Sequence, residues 1–292
     1  MSEPIGAASK SGPAPDEPRT VVVKIGGSLV SDKRSDSDLD EAAVRDYAAL
    51  VTDLARTYPG RVVFVAGGGA LGHGAVRDPQ AGNPDAVLPL TRATFAVKWA
   101  WTQAFQQAGL RALPLQVAAM CTEDGTGLNA QTAVVSGLLN RHVLPVLSGD
   151  CILSADGSLR ILGSDHVPGI LVQEPGLAPV RVVTLTDVPG ILTGPTHDSP
   201  VLPYLHPDDS ASMREFLWPS ASWDTSGAMH GKLDALISHA RRGAECVIAE
   251  GDRKAASLHH LFSPMAKWPT DVPHTLISRS RPIQPAPLGS AL

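Results

Sequence analysis

No run in this sequence is long and apolar enough to cross a bilayer, which excludes a membrane-spanning helix as its organising feature. Cysteine is scarce. Cys121, Cys151 and Cys246 are too few and too scattered for a disulfide framework, and no pair has the close spacing of a zinc or redox motif. All three are expected to be reduced and structural. Excess positive charge is missing as well: a net charge of -5 and a sequence pI near 6.0 argue against a broad nucleic-acid surface. What remains is a chain of 292 residues, 43% hydrophobic and 18% charged, with enough apolar material for one large core. The expectation is a single α/β unit with two lobes that acts on small molecules, with no nucleic acid and no membrane among its partners.

The start, "MSEPIGAASKSGPAPDEP", lacks the apolar core of a signal peptide, so residues 1–19 are expected to be a disordered leader and the location cytoplasmic. The Pro-rich end, residues 279–292, reads as a loose tail. Between them, β-rich runs alternate with helical patterns. "TVVVKIG" is followed by "LDEAAVRDYAALVTDLARTY", where Ala43, Tyr47, Leu50, Val51, Leu54 and Tyr58 recur at helical spacing until Pro59 and Gly60 stop them. "RVVFVAG" completes a βαβ unit. Further helices are predicted through "TRATFAVKWAWTQAFQQAG", near "QTAVVSGLLN", through "GAMHGKLDALISHARRGA" and, briefly, at "ASLHHLF". Strands are predicted at "HVLPVLSG", "VRVVTLTDV" and "ECVIAEG", with "HTLIS" at an edge. Continuous Val, Ile and Leu runs mark strands buried on both faces, so the expected architecture is a three-layer αβα sandwich around a mainly parallel sheet. Its N-terminal lobe would span 20–180 and its C-terminal lobe 181–278.

In open sheets of this kind, ligands collect at the carboxyl ends of the strands. The first strand ends in Lys24-Ile25-Gly26-Gly27-Ser28, with Lys33 close behind, and a later one ends in Gly67-Gly68-Gly69-Ala70-Leu71-Gly72-His73-Gly74. Glycines after a strand and before a helix let backbone N–H groups converge on an anion, so two such turns point to two anionic groups. Neither is a Walker A loop, and the protein-kinase signatures are absent. Asp150 follows a strand in "LPVLSGD", after Gly149, and Ser164 and Asp165 read either as a helix cap or as site residues. "TLTDVPG" places Thr184, Thr186 and Asp187 where they could meet a ribose or phosphates, although Pro189 and Gly190 also fit an ordinary turn. In "WDTSGAMHGKLDAL", Asp224, Thr225 or Ser226 would cap a helix whose first turns run from Gly227 to Lys232, so that Lys232 hints at an anion partner.

Together, "VVVKIGGSLV", "VVFVAGGGALGHG", "LPVLSGD", "GSDHVP", "VVTLTDVPGILTG" and "DTSGAMHGKLDALISHARRGAE" resemble the amino acid kinase superfamily, in the branch that contains isopentenyl phosphate kinase. Within that branch, "GGGALGHGAVRD", "LQVAAMCT", "SDHVP" and "WDTSGAMHGKLDAL" are similar to the fosfomycin resistance kinases. The resemblance implies the amino acid kinase fold, ATP with Mg²⁺ as cofactors, a homodimer, and transfer of the γ-phosphoryl group to the phosphonate of fosfomycin. By motif, Lys24 and Lys232 would contact the transferring group, Asp165 would orient them, and His73 would hold the phosphonate. Gly67, Gly68 and Gly69, with Gly149 and Asp150, would border the acceptor. Lys33, Gly26, Gly27, Ser28, Thr184, Thr186, Asp187 and Gly227 would border the nucleotide, and no protein ligand to the metal is assigned.

Isopentenyl phosphate is the rival acceptor, and a non-catalytic nucleotide-binding protein on the same fold is a third reading. A helix carrying Phe95, Val97, Trp99, Trp101 and Phe105, with Leu115 to Thr122 after it, is expected to wall the acceptor slot. Trp218 and Trp223 would belong to a cover over the site.

Overall fold

The computed structural model describes residues 17–31, 39–74, 87–125, 127–194, 198–209 and 228–281. The main sheet is built from strands β1 (Thr20–Ile25), β2 (Val62–Ala66), β3 (Ala112–Pro114), β6 (Leu144–Ser148), β9 (Val180–Thr186), β10 (Tyr204–Leu205), β11 (Glu245–Glu250) and β12 (His274–Ile277). A smaller sheet holds β4 (Cys121–Asp124), β5 (Gly127–Ala130), β7 (Asp150–Leu153) and β8 (Leu159–Leu162). The helices are α1 (Glu41–Thr57), α2 (Gly69–Gly74), α3 (Leu88–Gln107), α4 (Val117–Met120), α5 (Ala133–Asn140), α6 (Gly169–Val172) and α7 (Ala228–Arg241).

The main sheet runs in the order β10-β12-β11-β9-β1-β2-β6-β3. Every neighbouring pair is parallel except β11 with β12. The layers follow from the period of two along each strand. On β1, Val21, Val23 and Ile25 join one core with Phe64 of β2, and with Val51 and Leu54 of α1 and Val97 and Trp101 of α3. Val22 joins the opposite core, with Val63 and Val65 of β2 and Leu233 and Leu236 of α7. Both faces are therefore covered, which is why β1, β2 and β9 are uniformly apolar or buried along their length.

Local chemistry sets the helix ends. The Asp40 carboxylate accepts from Ala43 N at 3.0 Å and so caps α1, while Gly60 and Gly109 take φ of 74° and 77° after α1 and α3. Five sequence expectations need correction. "HTLIS" is not at the edge, because β10 pairs outside it. "ASLHHLF" forms only a 3-10 turn over His259–Phe262. Asp165 does not cap a helix; it lies in a turn, and α6 begins four residues later behind Pro168. Of the α3 aromatics, Trp101 and Phe105 wall no slot but pack on Phe64, with ring centroids 4.6 and 4.9 Å away, and Trp99 is exposed, whereas Phe95 lines, with Gln116, Ala118 and Ala119, an open groove separate from the glycine turns. The small sheet had no counterpart among the predicted strands. The N-terminal leader through residue 16, the tail from 282, Lys33, Gly227, the proposed cap at 224–226 and the cover at Trp218 and Trp223 lie outside the described residues. All three cysteines are free and buried, and no helix among the described residues is long and apolar enough to cross a membrane.

Phe64 contributes the aromatic contact on which α3 rests. Phe64→Ala is expected to cost about 3–5 kcal/mol through lost burial and a residual cavity, measured as a lower urea midpoint with an unchanged slope.

Candidate active site

Read across the sheet from β9 through β1 and β2 to β6, the carboxyl ends of the strands bring Thr186-Asp187, Gly26-Ser28, Gly67-Gly69 and Gly149 side by side. The three glycine-bearing turns border a cavity of about 280 Å³. Its other walls are Leu90 and Thr94 of α3, the segment Ile161 to His166, and Gly231 and Lys232 of α7.

The two glycine turns touch each other. A Cβ on Gly27 would lie 2.4 Å from Gly69 N, and one on Gly67 would lie 2.4 Å from Gly27 N, so any side chain at either position pushes the turns apart. Gly149 is held in the same way against the 162–164 turn, where a Cβ would meet Leu162 O at 2.8 Å. The amides of Gly26 and Gly67 are spent at the strand ends, on Leu185 O and Ile25 O, both at 2.8 Å. Gly27, Gly68 and Gly69 are left as the candidate anion-binding amides.

Strand alternation sends Lys24 to the same face as Val22, toward α7. There the Lys24 ammonium, 3% exposed, donates to the Asp165 carboxylate. Lys232, 8% exposed, arrives from α7 and donates to Thr186 Oγ1 at 3.3 Å, and Thr186 donates in turn to Asp187 Oδ1 at 2.9 Å. Burial pushes the Asp165 carboxyl up, but Lys24 and then Lys232 outweigh it and hold the group below the usual carboxylate range. Asp187 behaves alike: burial is overcome by hydrogen bonds from Thr186, its own amide and Ser28, with Lys232 adding to them. Both carboxylates are thus ionised beside the lysines.

Of the residues expected from sequence, Lys24, Lys232, Asp165, Gly26, Gly27, Ser28, Gly67, Gly68, Gly69 and Gly149 meet at this cavity. Thr186 and Asp187 stand behind Lys232, and Thr184, buried, is the register partner of Lys24. His73 lies on α2 and its side chain is outside the description. Asp150 does not line the cavity. Fully buried, its carboxylate accepts from Gln116 Nε2 at 2.6 Å, Cys151 N at 3.0 Å and Ala118 N at 3.1 Å, with Lys98 Nζ 4.0 Å away. His166 was quoted within "SDHVP" yet given no role, and its ring lines the cavity beside Asp165. Leu90 and Ile161 were also missed, because an isolated apolar residue in a helix or strand carries no signal of which side it faces.

Glycine amides and two lysines suit a polyphosphate, whose charge spreads over several oxygens. Among the described residues no group of His, Cys, Asp and Glu is arranged to hold a metal ion.

The model of the amino acid kinase family matches residues 19–250. The chain belongs to that family. Its kinase relatives include isopentenyl phosphate kinase of Haloferax volcanii, 31% identical over 75% of this chain and 87% of that protein. Isopentenyl phosphate kinase of Methanothermobacter thermautotrophicus is 25% identical over 78% and 90%. Among solved structures, the isopentenyl phosphate kinase of T. acidophilum in its product complex superposes with a TM-score of 0.65 at 17% identity, covering 88% of this chain and 99% of that one. This likeness establishes the fold, an amino acid kinase fold with a mainly parallel sheet.

Asp165→Asn tests the charge balance. The depressed pKa means that the carboxylate's contribution is complete above its unfolded value and is lost as pH falls through the folded one. The variant is expected to be less stable at pH 7 by about 3 kcal/mol, the low end for breaking a buried pair. It should also lose less stability than the wild type below about pH 4, as followed by denaturant melts across pH.

Proposed function

We propose that this member of the amino acid kinase family transfers the γ-phosphoryl group of ATP to the phosphate of isopentenyl phosphate. The Lys24, Asp165 and Lys232 cluster between two touching glycine turns carries the phosphoryl-transfer reading. The named relatives support the choice of acceptor.

A phosphate acceptor is already anionic near neutral pH, so the enzyme need not create its nucleophile. Its difficulty is to bring two polyanions into line while charge spreads over the transferring group. ATP with Mg²⁺ supplies the phosphoryl group and part of the neutralising charge. Lys24 and Lys232 supply a fixed positive field from positions too buried to be screened by water. Asp165 keeps the two ammonium groups from repelling each other and aims Lys24. The Gly27 amide on one side and those of Gly68 and Gly69 on the other orient the donor and acceptor phosphates. By motif, His73 would donate to an acceptor oxygen and Lys33 would reach the ATP phosphates; the His73 side chain and Lys33 lie outside the described residues. Thr184, Thr186, Asp187 and Gly227 belong to the nucleotide side, whose lobe spans 181–278; the acceptor is held by the lobe at 20–180.

A second acceptor, fosfomycin, is favoured by one observation: among the described residues, the apolar side chains that line the cavity are Leu90, Ile161 and Leu162. That is scant cover for a branched five-carbon chain and sufficient for a three-carbon epoxide.

The test is ADP release with Mg-ATP and each acceptor in parallel, with the product followed by phosphorus NMR. Preference for isopentenyl phosphate is expected. Turnover of fosfomycin alone would reassign the acceptor, and silence with both would leave a nucleotide-binding protein. Lys24→Ala is expected to lower kcat by about 10²–10³-fold, roughly 2.7–4 kcal/mol, as for removal of one preorganised electrostatic group. Its circular dichroism should be unchanged; full activity in a folded variant would refute the clamp.

A further inference from the structure

His239 lies on α7, seven residues beyond Lys232 and so on the same side of the helix two turns later. It is 2% exposed, and its Nε2 stands 2.9 Å from the backbone carbonyl oxygen of Asp165. A carbonyl can only accept, so Nε2 must carry the proton. The other ring nitrogen, Nδ1, is buried with no hydrogen-bond partner among the described residues. The ring edge is pressed against Gly169 at the start of α6, where a Cβ would fall 2.7 Å from Cε1 and 2.8 Å from Nδ1.

We infer that His239 is a positioning residue for phosphoryl transfer, a neutral strut whose Nε2–H bond to the Asp165 carbonyl fixes the Asp165 turn to the helix that carries Lys232. This inference rests on the function proposed above. α7 then meets the turn twice, through the charge of Lys232 on the Asp165 carboxylate and through His239 on its backbone. The spacing of Lys24 and Lys232 about one carboxylate becomes a property of the helix, not of two long flexible side chains.

Neutrality is part of the role. A third cation here would compete with Lys24 and Lys232 for Asp165. Burial lowers the His239 pKa to about 4, with His166 and Arg242 also opposing its charge while the Asp165 carbonyl and carboxylate partly favour it. The ring is therefore uncharged at neutral pH.

The proteins compared are the wild type, His239→Leu, which keeps bulk and loses the donor, His239→Gln, which keeps an N–H in a similar place, and Asp165→Asn with and without His239→Leu. His239→Leu is expected to lower kcat roughly 10- to 100-fold by misplacing Asp165. KM for ATP should stay within about twofold, and His239→Gln should recover most of the loss. In the Asp165→Asn background the same Leu substitution should have little further effect, since residues acting through one another are not additive. Wild-type kcat in His239→Leu, equal losses in the Leu and Gln variants, or full additivity with Asp165→Asn would overturn the assignment. Nitrogen NMR of the wild-type imidazole at neutral pH, without ligands, should report the Nε2–H tautomer; an Nδ1–H or a charged ring would also overturn it. That measurement stands if His239→Leu fails to fold, and it is independent of the acceptor. Absence of turnover by the wild type with either acceptor would instead defeat the proposed function and leave the tautomer result to decide the strut.

Discussion

One carboxylate between two buried ammonium groups sets the terms for the site. Lys24 and Lys232 could not sit at 3% and 8% exposure on their own, because each would pay the cost of leaving water without a partner. Asp165 makes their burial tolerable, and in exchange its own acidity is held low despite its surroundings. The pieces come from widely separated parts of the chain: a strand end, a turn ahead of α6 and the first turns of α7. The sheet order β11-β9-β1 is what lets them meet, since it places β1 and β9 next to each other and packs α7 on the face toward which Lys24 points.

Around that charge balance the rest of the site is backbone. The glycine turns after β1 and β2 supply amides and closeness, and the small sheet supplies Ile161 and Leu162 as apolar cover. Asp150 shows the contrast between a structural and a functional carboxylate. Its Oδ1 accepts from Cys151 N and Thr91 Oγ1 and its Oδ2 from Gln116 Nε2 and Ala118 N, with Lys98 nearby, so its acceptor sites are taken up within the protein. Lys98 itself is pushed by burial to about 8, with Asp150 opposing the fall. That buried network ties α3 to the start of β7 directly behind Gly149.

Much of this was legible in the chain. "VVVKIGG" and "VVFVAGGG" announce buried parallel strands that end in turns, because runs apolar on both faces have only one common setting and consecutive glycines have few. Lys24 was legible for the same reason: a lysine terminating such a run is hard to explain without an anion. Other parts were not. β4, β5, β7 and β8 are four-residue strands of mixed polarity, and their pairing depends on contacts distant in sequence, which local pattern does not encode. For Asp165 the local pattern left a helix cap and a site residue both open, with its place beside the lysines given by the resemblance; the approach of Lys24 from another strand decides between them. The α3 aromatics misled because helical spacing tells which residues share a face, and not whether that face meets the core, the cavity or solvent.

The contact between the two glycine turns has a consequence for how such an enzyme changes over time. Where the turns meet, the partition between the proposed donor and acceptor sides is a single thickness of peptide, with no side chain in it to lengthen or trim. Substitutions at Leu90, Thr94 or Ile161 can recut the room available to an acceptor while the gap across which phosphorus must travel stays fixed by main-chain contact. On the proposed function, substrate preference and transfer distance would therefore be inherited separately, and a lineage could exchange one small anion for another without rebuilding its chemistry.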